Sequence, residues 1–270
     1  MAQIIRDTTE IAYFSMGKPG TFKVICDGES ASLGRGHMLP GDVQVPHRHM
    51  SEQMGYVESG SCELIVEGKS YIAEAGCTYH IPPYAEHEWR AFGNECFTYI
   101  DFFTPKRPDL LNGEFRPDLA AKKDNGEIID FRAEWEKYRA EDHREIPVIR
   151  RVSEIPYFTQ GNGGIVKVIV DGEAATMSMG HMVLGDDLPS HHHPNEQMGY
   201  VLSGAAELIV DDVTYTVKQG YIYHLPCNSW HTWKAVGNER FSYLDFFVPR
   251  RMDLVNGQFN FAKWTAKDPE

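Results

Sequence analysis

Short apolar or alternating segments, separated by glycine, proline, asparagine and aspartate, run along most of the chain. In the first half they cover residues 21–27, 53–58, 62–67, 70–73, 78–81 and 96–103. Alternation of apolar and polar side chains fits a strand with one buried face. Many short strands joined by close turns are typical of a β-sandwich or barrel, so the pattern predicts an all-β fold.

The same pattern occurs twice. Residues 10–115 align without a gap on residues 154–259; for example, the sequence ELIV at 63–66 recurs at 207–210, and DFF at 101–103 recurs at 245–247. Internal repetition of this length indicates a duplicated structural unit. We therefore predict an N-terminal barrel in residues 1–115 and a C-terminal barrel in residues 151–270.

The segment between the repeats, 116–150, has a different pattern. It is rich in charge, and residues 131–141 combine strong helix formers with apolar residues at helical spacing. We predict a linker with one helix that packs on the outside of the barrels, with Trp135 and Tyr138 facing the protein.

Charge and hydropathy narrow the classes of partner. The 270 residues include 39 acidic and 26 basic side chains, for a net charge of −13. This balance argues against a nucleic acid or an anionic membrane as partner, because both attract basic surfaces. No apolar run approaches the roughly 20 residues of a membrane-spanning helix, and the N-terminal residues lack the pattern of a signal peptide.

The five cysteines are unevenly distributed, and none is kept between the repeats. They form no Cys-x-x-Cys pair, so a disulfide framework is not expected. We expect a reduced, cytoplasmic protein.

A motif rich in metal-binding side chains stands at the same place in both repeats. His-x-His-x-x-Glu-Gln-x-Gly-Tyr-Val occupies residues 47–57 and 191–201. In extended chain His47, His49 and Gln53 lie on one face and Glu52 on the other. The parity selects as candidate ligands of the second repeat His191, His193 and Gln197.

A fourth candidate ligand follows in each repeat, at His87 and His231, after a proline-containing turn. Imidazole suits Fe, Zn, Cu, Ni and Co, and an amide oxygen is compatible with Mn or Fe. We predict one divalent transition metal per repeat, which is Fe, Mn, Zn, Ni or Co.

These segments resemble the two motifs of the cupin superfamily. The first reads Gly-x5-His-x-His-x3-Gln-x6-Gly from Gly41 and from Gly185, with Gln in place of the usual Glu. The second reads Gly-x5-Pro-x4-His from Gly76 and from Gly220. Four positions depart from the family pattern without removing a ligand: Tyr84, Asn228, Ala91 and Ala235. The resemblance implies a bicupin, that is, two tandem jelly-roll barrels with a metal in the mouth of each.

The neutral Gln affects the expected chemistry. Three neutral imidazoles and an amide leave the charge of a divalent ion uncompensated, which favours Lewis-acid catalysis on an anionic oxygen. The motif is also similar to those of pectin-degradation cupins and of the bicupin of bacilysin biosynthesis, which implies carboxylated, oxo-bearing substrates. We predict an enzyme that isomerises, ring-opens or cleaves, by lyase chemistry, a small oxo or sugar acid. An Fe(II) dioxygenase acting on a diketone or activated aromatic, and a non-catalytic metal- or sugar-binding cupin, are the alternatives.

Asp101 and Asp245 are the candidate acid–base groups, because each lies in an otherwise apolar strand where burial would raise the pKa of a carboxyl group. The alternative is a structural aspartate that pairs with an arginine or caps a turn. Cations for an anionic substrate could come from three arginines that the second repeat lacks, namely Arg35, Arg48 and Arg90. Their absence there suggests that the two sites differ in specificity or that one is vestigial. The chain could form a homodimer, because dimers are common where barrels extend or pair their sheets.

Overall fold

A computed structural model describes residues 4–16, 20–115 and 128–257. The chain forms two compact units, Ala12–Ser153 and Met1–Ile11 together with Glu154–Glu270. Both are built from antiparallel strands, and the described helices are short. The prediction of a tandem all-β fold is confirmed.

The first unit, called the first barrel below, follows a single N-terminal strand, β1 (Ile5–Asp7). Its strands are β2 (Phe14–Ser15), β3 (Thr21–Asp27), β4 (Ser32–Met38), β5 (Val43–His47), β6 (Glu52–Ser59), β7 (Ser61–Val66), β8 (Lys69–Glu74), β9 (Cys77–Ile81), β10 (His87–Phe92), β11 (Phe97–Thr104) and β12 (Ile149–Arg151). Between β11 and β12 lie α1 (Pro108–Leu111) and α2 (Phe131–Ala140).

The second barrel repeats this order. Its strands are β13 (Phe158–Gln160), β14 (Gly164–Asp171), β15 (Thr176–Met182), β16 (Asp187–His191), β17 (Glu196–Ser203), β18 (Ala205–Val210), β19 (Val213–Lys218), β20 (Tyr221–Leu225), β21 (His231–Val236) and β22 (Phe241–Val248), followed by α3 (Met252–Val255).

Each barrel consists of one seven-stranded and one four-stranded sheet. The first barrel has the orders β12-β9-β6-β11-β4-β3-β2 and β5-β10-β7-β8, and the second has β1-β20-β17-β22-β15-β14-β13 and β16-β21-β18-β19. The N-terminal strand β1 pairs with β20, so it belongs to the second barrel, and β12 completes the first. The domain boundaries drawn from the repeat stay a prediction.

The alternation in the sequence matches the inner faces of the strands. In β7 the burial alternates residue by residue, and Cys62, Leu64 and Val66 join the core of the first barrel. Strands β9 and β11 are buried on both faces. The apolar runs therefore close each barrel around its own core.

The predicted linker helix is present as α2. Asp130 caps its N terminus by accepting from the backbone of Arg132 and Ala133, and Trp135 packs against the core of the first barrel. Residues 116–127 of the predicted linker lie outside the described residues. Among the described residues, no helix is long and apolar enough to cross a membrane.

Candidate metal centres and their pockets

Three histidines meet in the mouth of the first barrel. His47 ends β5, His87 begins the neighbouring β10, and the two face each other in the strand register. His49 reaches the same point from the loop before β6. One nitrogen of each ring lies within 4.8 Å of the others, and all three side chains are buried. Equivalent strands bring together in the second barrel His191, His193 and His231.

Most of these rings are oriented through Nδ1. In the first barrel Nδ1 of His47 lies 3.0 Å from the carbonyl oxygen of Val45, and Nδ1 of His87 lies 2.9 Å from that of Ala85. A ring that donates from Nδ1 keeps Nε2 as its lone-pair nitrogen, which is the usual arrangement of a metal-binding histidine. The second barrel repeats both contacts, through Pro189 and Ser229.

The clusters fit a divalent metal ion. Nε2 of His87 and Nε2 of His231 are buried and have no hydrogen-bond partner among the described residues. Burial lowers the pKa of every imidazole in the clusters, to about 4 for His87 and to about 3 for His191. The rings are therefore neutral and able to coordinate a cation. Each barrel accordingly has a site for one divalent metal.

Gln53 completes the first cluster with its amide oxygen. Its Oε1 lies 3.1 Å from Nε2 of His49, while its Nε2 donates to Oδ1 of Asp101 at 2.8 Å. Because a carboxylate oxygen accepts hydrogen bonds, the amide nitrogen of Gln53 faces Asp101, and this leaves Oε1 facing the histidines. Gln197 has the same two contacts in the second barrel, at 3.0 Å to His193 and 2.7 Å to Asp245.

A buried tyrosine holds each aspartate from behind. Tyr79 Oη donates to Oδ1 of Asp101 at 2.5 Å, and Tyr223 Oη donates to Oδ1 of Asp245 at 2.5 Å. The tyrosine ring crosses the backbone of the glycine in the repeated motif: a Cβ added at Gly55 would collide with the ring of Tyr79. The glycine is needed for this close approach rather than for a turn.

The two aspartates are buried carboxyl groups with raised pKa values. Burial raises the pKa of Asp101 to about 7 and that of Asp245 to about 6, although the bonds from the tyrosine and the glutamine act in the opposite direction. Among the described residues no hydrogen bond joins either aspartate to an arginine, although the charges of Arg107 and Arg251 act to lower the pKa of Asp101 and Asp245. Their acid–base role stays a prediction.

The glutamate of the repeated motif faces away from the metal cluster. Oε1 of Glu52 lies 2.7 Å from Nε2 of His80, with both side chains 2% exposed, and Glu196 pairs with His224 at 2.8 Å. Strand parity predicted that Glu52 lies on the opposite face from the ligands. Its contact with His80, repeated by Glu196 and His224, explains why both residues recur in the two repeats.

Sequence reasoning missed a buried arginine in each barrel. Arg107 follows β11, is 6% exposed, lies with its guanidinium carbon 5.4 Å from the ring centre of Phe103, and forms an ion pair with Asp109 at 2.6 Å. It lines the same pocket as His47, and its charge contributes to the lowered pKa of His47 and His49. The second barrel has Arg251 in the same setting. The signal was available, because Arg-x-Asp-Leu recurs at 107–110 and 251–254.

A pocket opens beside the first cluster, with an empty volume of about 250 Å³ that includes open solvent. Its polar lining is Gln44, His47, Gln53, Tyr99, Asp101 and Arg107, and its apolar lining is Met16, Phe22, Phe103, Leu110 and Phe115. The three arginines proposed from the sequence do not line it. They form ion pairs elsewhere: Arg35 with Glu58, Arg48 with Glu67 and Arg90 with Glu88.

The two barrels differ in how one histidine is held. Nδ1 of His193 lies 3.1 Å from the carbonyl oxygen of Asn195, whose amide donates to the carbonyl oxygen of Pro249 at 2.6 Å. In the first barrel Ser51 replaces this asparagine, and Nδ1 of His49 and Oγ of Ser51 are both buried without a hydrogen-bond partner among the described residues.

Two jelly-roll barrels, each with three converging histidines and a glutamine, define a duplicated metal-binding β protein. A family model described as "Cupin domain" matches residues 34–103 and again residues 179–247. The chain belongs to the cupin domain family.

The chain is also similar to characterised proteins. The pectin degradation protein KdgF of Dickeya dadantii (strain 3937) is 34% identical over 76 residues, which span 28% of this chain and 68% of that protein.

Solved structures of similar fold include the Lactobacillus farciminis oxalate decarboxylase formate complex, with a TM-score of 0.69 and 14% identity over 92% of this chain and 87% of the other. AerE from Microcystis aeruginosa has a TM-score of 0.65 and 14% identity over 88% and 96%. A Bacillus subtilis oxalate decarboxylase with Mn(II) centres has a TM-score of 0.66 and 15% identity over 92% and 78%. At these identities the likeness concerns the fold alone.

Proposed function

We propose that the protein is a metal-dependent enzyme that rearranges a small carboxylated oxo or sugar acid without net redox change, by isomerisation, ring opening or lyase chemistry. The observation that carries the proposal is the pairing, in both barrels, of a three-histidine-one-glutamine cluster with a buried arginine and a buried aspartate. The similarity to a protein of pectin degradation adds support for an acidic sugar as substrate.

His47, His49, His87 and Gln53 would hold the metal of the first barrel. When bound, a divalent ion with four neutral ligands supplies Lewis acidity that stabilises negative charge on a substrate oxygen. Asp101 accepts a hydrogen bond from Gln53, so its carboxyl group would lie near a bound ion without being a ligand. The corresponding set in the second barrel is His191, His193, His231 and Gln197.

Arg107 is proposed to bind the substrate carboxylate. Two of its nitrogens, Nε and Nη2, donate to Asp109 at 2.8 and 2.6 Å, which holds the guanidinium rigid over Phe103. Nη1 has no hydrogen-bond partner among the described residues, so it can donate to a ligand in the pocket. A charge-assisted bond from a buried guanidinium is stronger than one between neutral groups. The arginine therefore favours an anionic substrate in a chain whose net charge is −13.

Asp101 is proposed to carry the proton that an isomerisation moves. Its Oδ1 accepts both hydrogen bonds, from Tyr79 and from Gln53, so Oδ2 remains to exchange a proton with a substrate in the pocket. Asp245 would have this role in the second barrel. Asp101 also positions Gln53, so in this proposal one carboxyl group orients a metal ligand through Oδ1 and exchanges a proton through Oδ2.

The test is an assay of the metal-loaded protein with a panel of oxo acids and unsaturated uronates, followed by NMR with and without oxygen. We expect turnover that needs no oxygen, that falls in Arg107→Met and in Asp101→Asn, and that is lost when the equivalent change, Arg251→Met or Asp245→Asn, is added in the second barrel. Product formation coupled to oxygen consumption, with iron bound, would instead support the dioxygenase alternative. The cytoplasmic location and the homodimer stay expectations. Cell fractionation would test the location, and gel filtration would test the oligomeric state.

A further inference from the structure

The pocket of the first barrel and the equivalent positions of the second barrel share their chemical centre but differ in the residues around it. Aligning the repeats at their offset shows which pocket residues are kept: the metal cluster, the aspartate, the arginine, Tyr99 as Tyr243, and Phe103 as Phe247. Three pocket positions change. Gln44, Met16 and Phe22 of the first barrel correspond in the second barrel to Leu188, Gln160 and Val166.

The polar wall residue changes place between the barrels. Gln44, on β5 of the four-stranded sheet, lines the first pocket, is 8% exposed and makes no side-chain hydrogen bond to a described residue. In the second barrel Leu188 takes this position and joins the apolar core. There the amide is on β13 of the other sheet, as Gln160, whose Oε1 accepts from Tyr243 at 3.4 Å.

The apolar wall also changes in size. Phe22 is fully buried in the first barrel and packs near Tyr99 and Phe103, with ring centres 6.4 and 6.5 Å apart. Val166 replaces it with a smaller side chain at the equivalent position of β14. Valine occupies less volume than phenylalanine, so this position in the second barrel would leave room for a larger ligand group.

We propose that the two barrels bind different acids, and that Gln44, Leu188 and Val166 are specificity-determining residues. This inference rests on the proposed function, in which metal and arginine anchor a carboxylate in both barrels. The first barrel takes a compact acid whose hydroxyl or carbonyl group bonds to Gln44. The second barrel takes a bulkier acid with an apolar group against Leu188 and Val166.

Full-length chains with one cluster disabled separate the two pockets. His193→Ala leaves the first metal site and His49→Ala leaves the second; circular dichroism and metal analysis establish that each chain is folded and holds one metal. The probes are lactate, propionate (which lacks the hydroxyl) and 3-phenyllactate (which adds a ring), measured by calorimetry on metal-loaded protein.

We expect the His193→Ala chain to prefer lactate to propionate by up to about tenfold, as one net hydrogen bond allows, and Gln44→Leu in that chain to remove the preference. The His49→Ala chain should show little preference until Leu188→Gln is added. It should also bind phenyllactate at least about tenfold more tightly than the first pocket does, an advantage that Val166→Phe removes.

Identical selectivity in the two chains, unchanged by Gln44→Leu and Val166→Phe, would overturn the inference and leave the proposed function standing. Failure of all three acids to bind either metal-loaded chain, or binding that Arg107→Met and its counterpart Arg251→Met leave unchanged, would overturn the proposed carboxylate anchor and this inference with it.

Discussion

Replacing Tyr79 by phenylalanine removes the hydroxyl that holds Asp101 behind the first metal site. The tyrosine is 0% exposed, and its Oη donates to Oδ1 of Asp101 at 2.5 Å and lies 3.1 Å from the carbonyl oxygen of Ile100. After the substitution Gln53 is the remaining recorded donor to Oδ1. Since Asp101 orients that glutamine, loss of the tyrosine hydroxyl should also affect the orientation of a metal-ligand candidate.

The expected size of the effect follows from the burial of the bond. A hydrogen bond to a charged group contributes about 1.5–3 kcal/mol, so at a pH well above the Asp101 pKa of about 7, where the carboxyl group is ionised, Tyr79→Phe should lower the free energy of unfolding of the metal-free protein by about 2 kcal/mol. The pKa of Asp101 should rise further, because the tyrosine bond lowers it. Metal affinity of the first barrel should fall by about tenfold, at the lower end of what partners of ligating side chains contribute.

Urea unfolding with chelator and a metal competition titration measure the two quantities. The matched control is Tyr99→Phe, a tyrosine of the same barrel that is 4% exposed and has no recorded side-chain hydrogen bond to a described residue. That control should cost less than about 0.5 kcal/mol, because no protein hydrogen bond is lost. Equal losses in the two variants, or unchanged metal affinity in Tyr79→Phe, would refute the reasoning.

Gly55→Ala should destabilise the first barrel by about 1–3 kcal/mol by overpacking against Tyr79; an alanine variant as stable as the parent in urea would contradict the close approach. Asn195→Ser should weaken metal binding by the second barrel by about tenfold, whereas Ser51→Asn, in the first barrel, should leave the affinity of the second barrel unchanged. Competition titrations on single-site chains measure these affinities. If Asn195→Ser binds metal as tightly as the parent chain, the asparagine has no such role. Burial lowers the pKa of His37 to about 4 from its ordinary 6.5. The unfolded chain therefore takes up this proton first, and the stability of the fold should decrease as the pH drops from 6.5 towards 4. His37→Gln should make this decrease shallower in thermal unfolding across the same range, and a profile parallel to that of the parent would exclude the histidine as a contributor.

Part of the candidate site was within reach of the sequence because it depends on short spacings. His47, His49 and Gln53 lie within one motif, and strand parity is a local property that separates Glu52 from them. The duplication of the motif and the alternating strands predicted the two barrels. These inferences needed only the neighbours of each residue along the chain.

The remaining features depend on residues that are distant in sequence. Asp101 meets Gln53 from 48 positions away, and the reason for Gly55 becomes visible only when the ring of Tyr79 crosses it from a neighbouring strand. Arg107 follows a strand in the sequence, and only the folded structure shows that it is buried and lines the same pocket as His47.

Local pattern determined which residues form strands and which could hold a metal, since side-chain alternation and ligand type are written into short segments. Tertiary structure alone decided that β1 completes the second barrel, that each metal-site glutamine is oriented by an aspartate, and that the amide lining the first pocket lies on a different sheet from Gln160 of the second barrel. The physical reason is that hydrogen-bond partners and burial are set by strand register across the barrel, and antiparallel pairing joins residues that no short window of sequence contains.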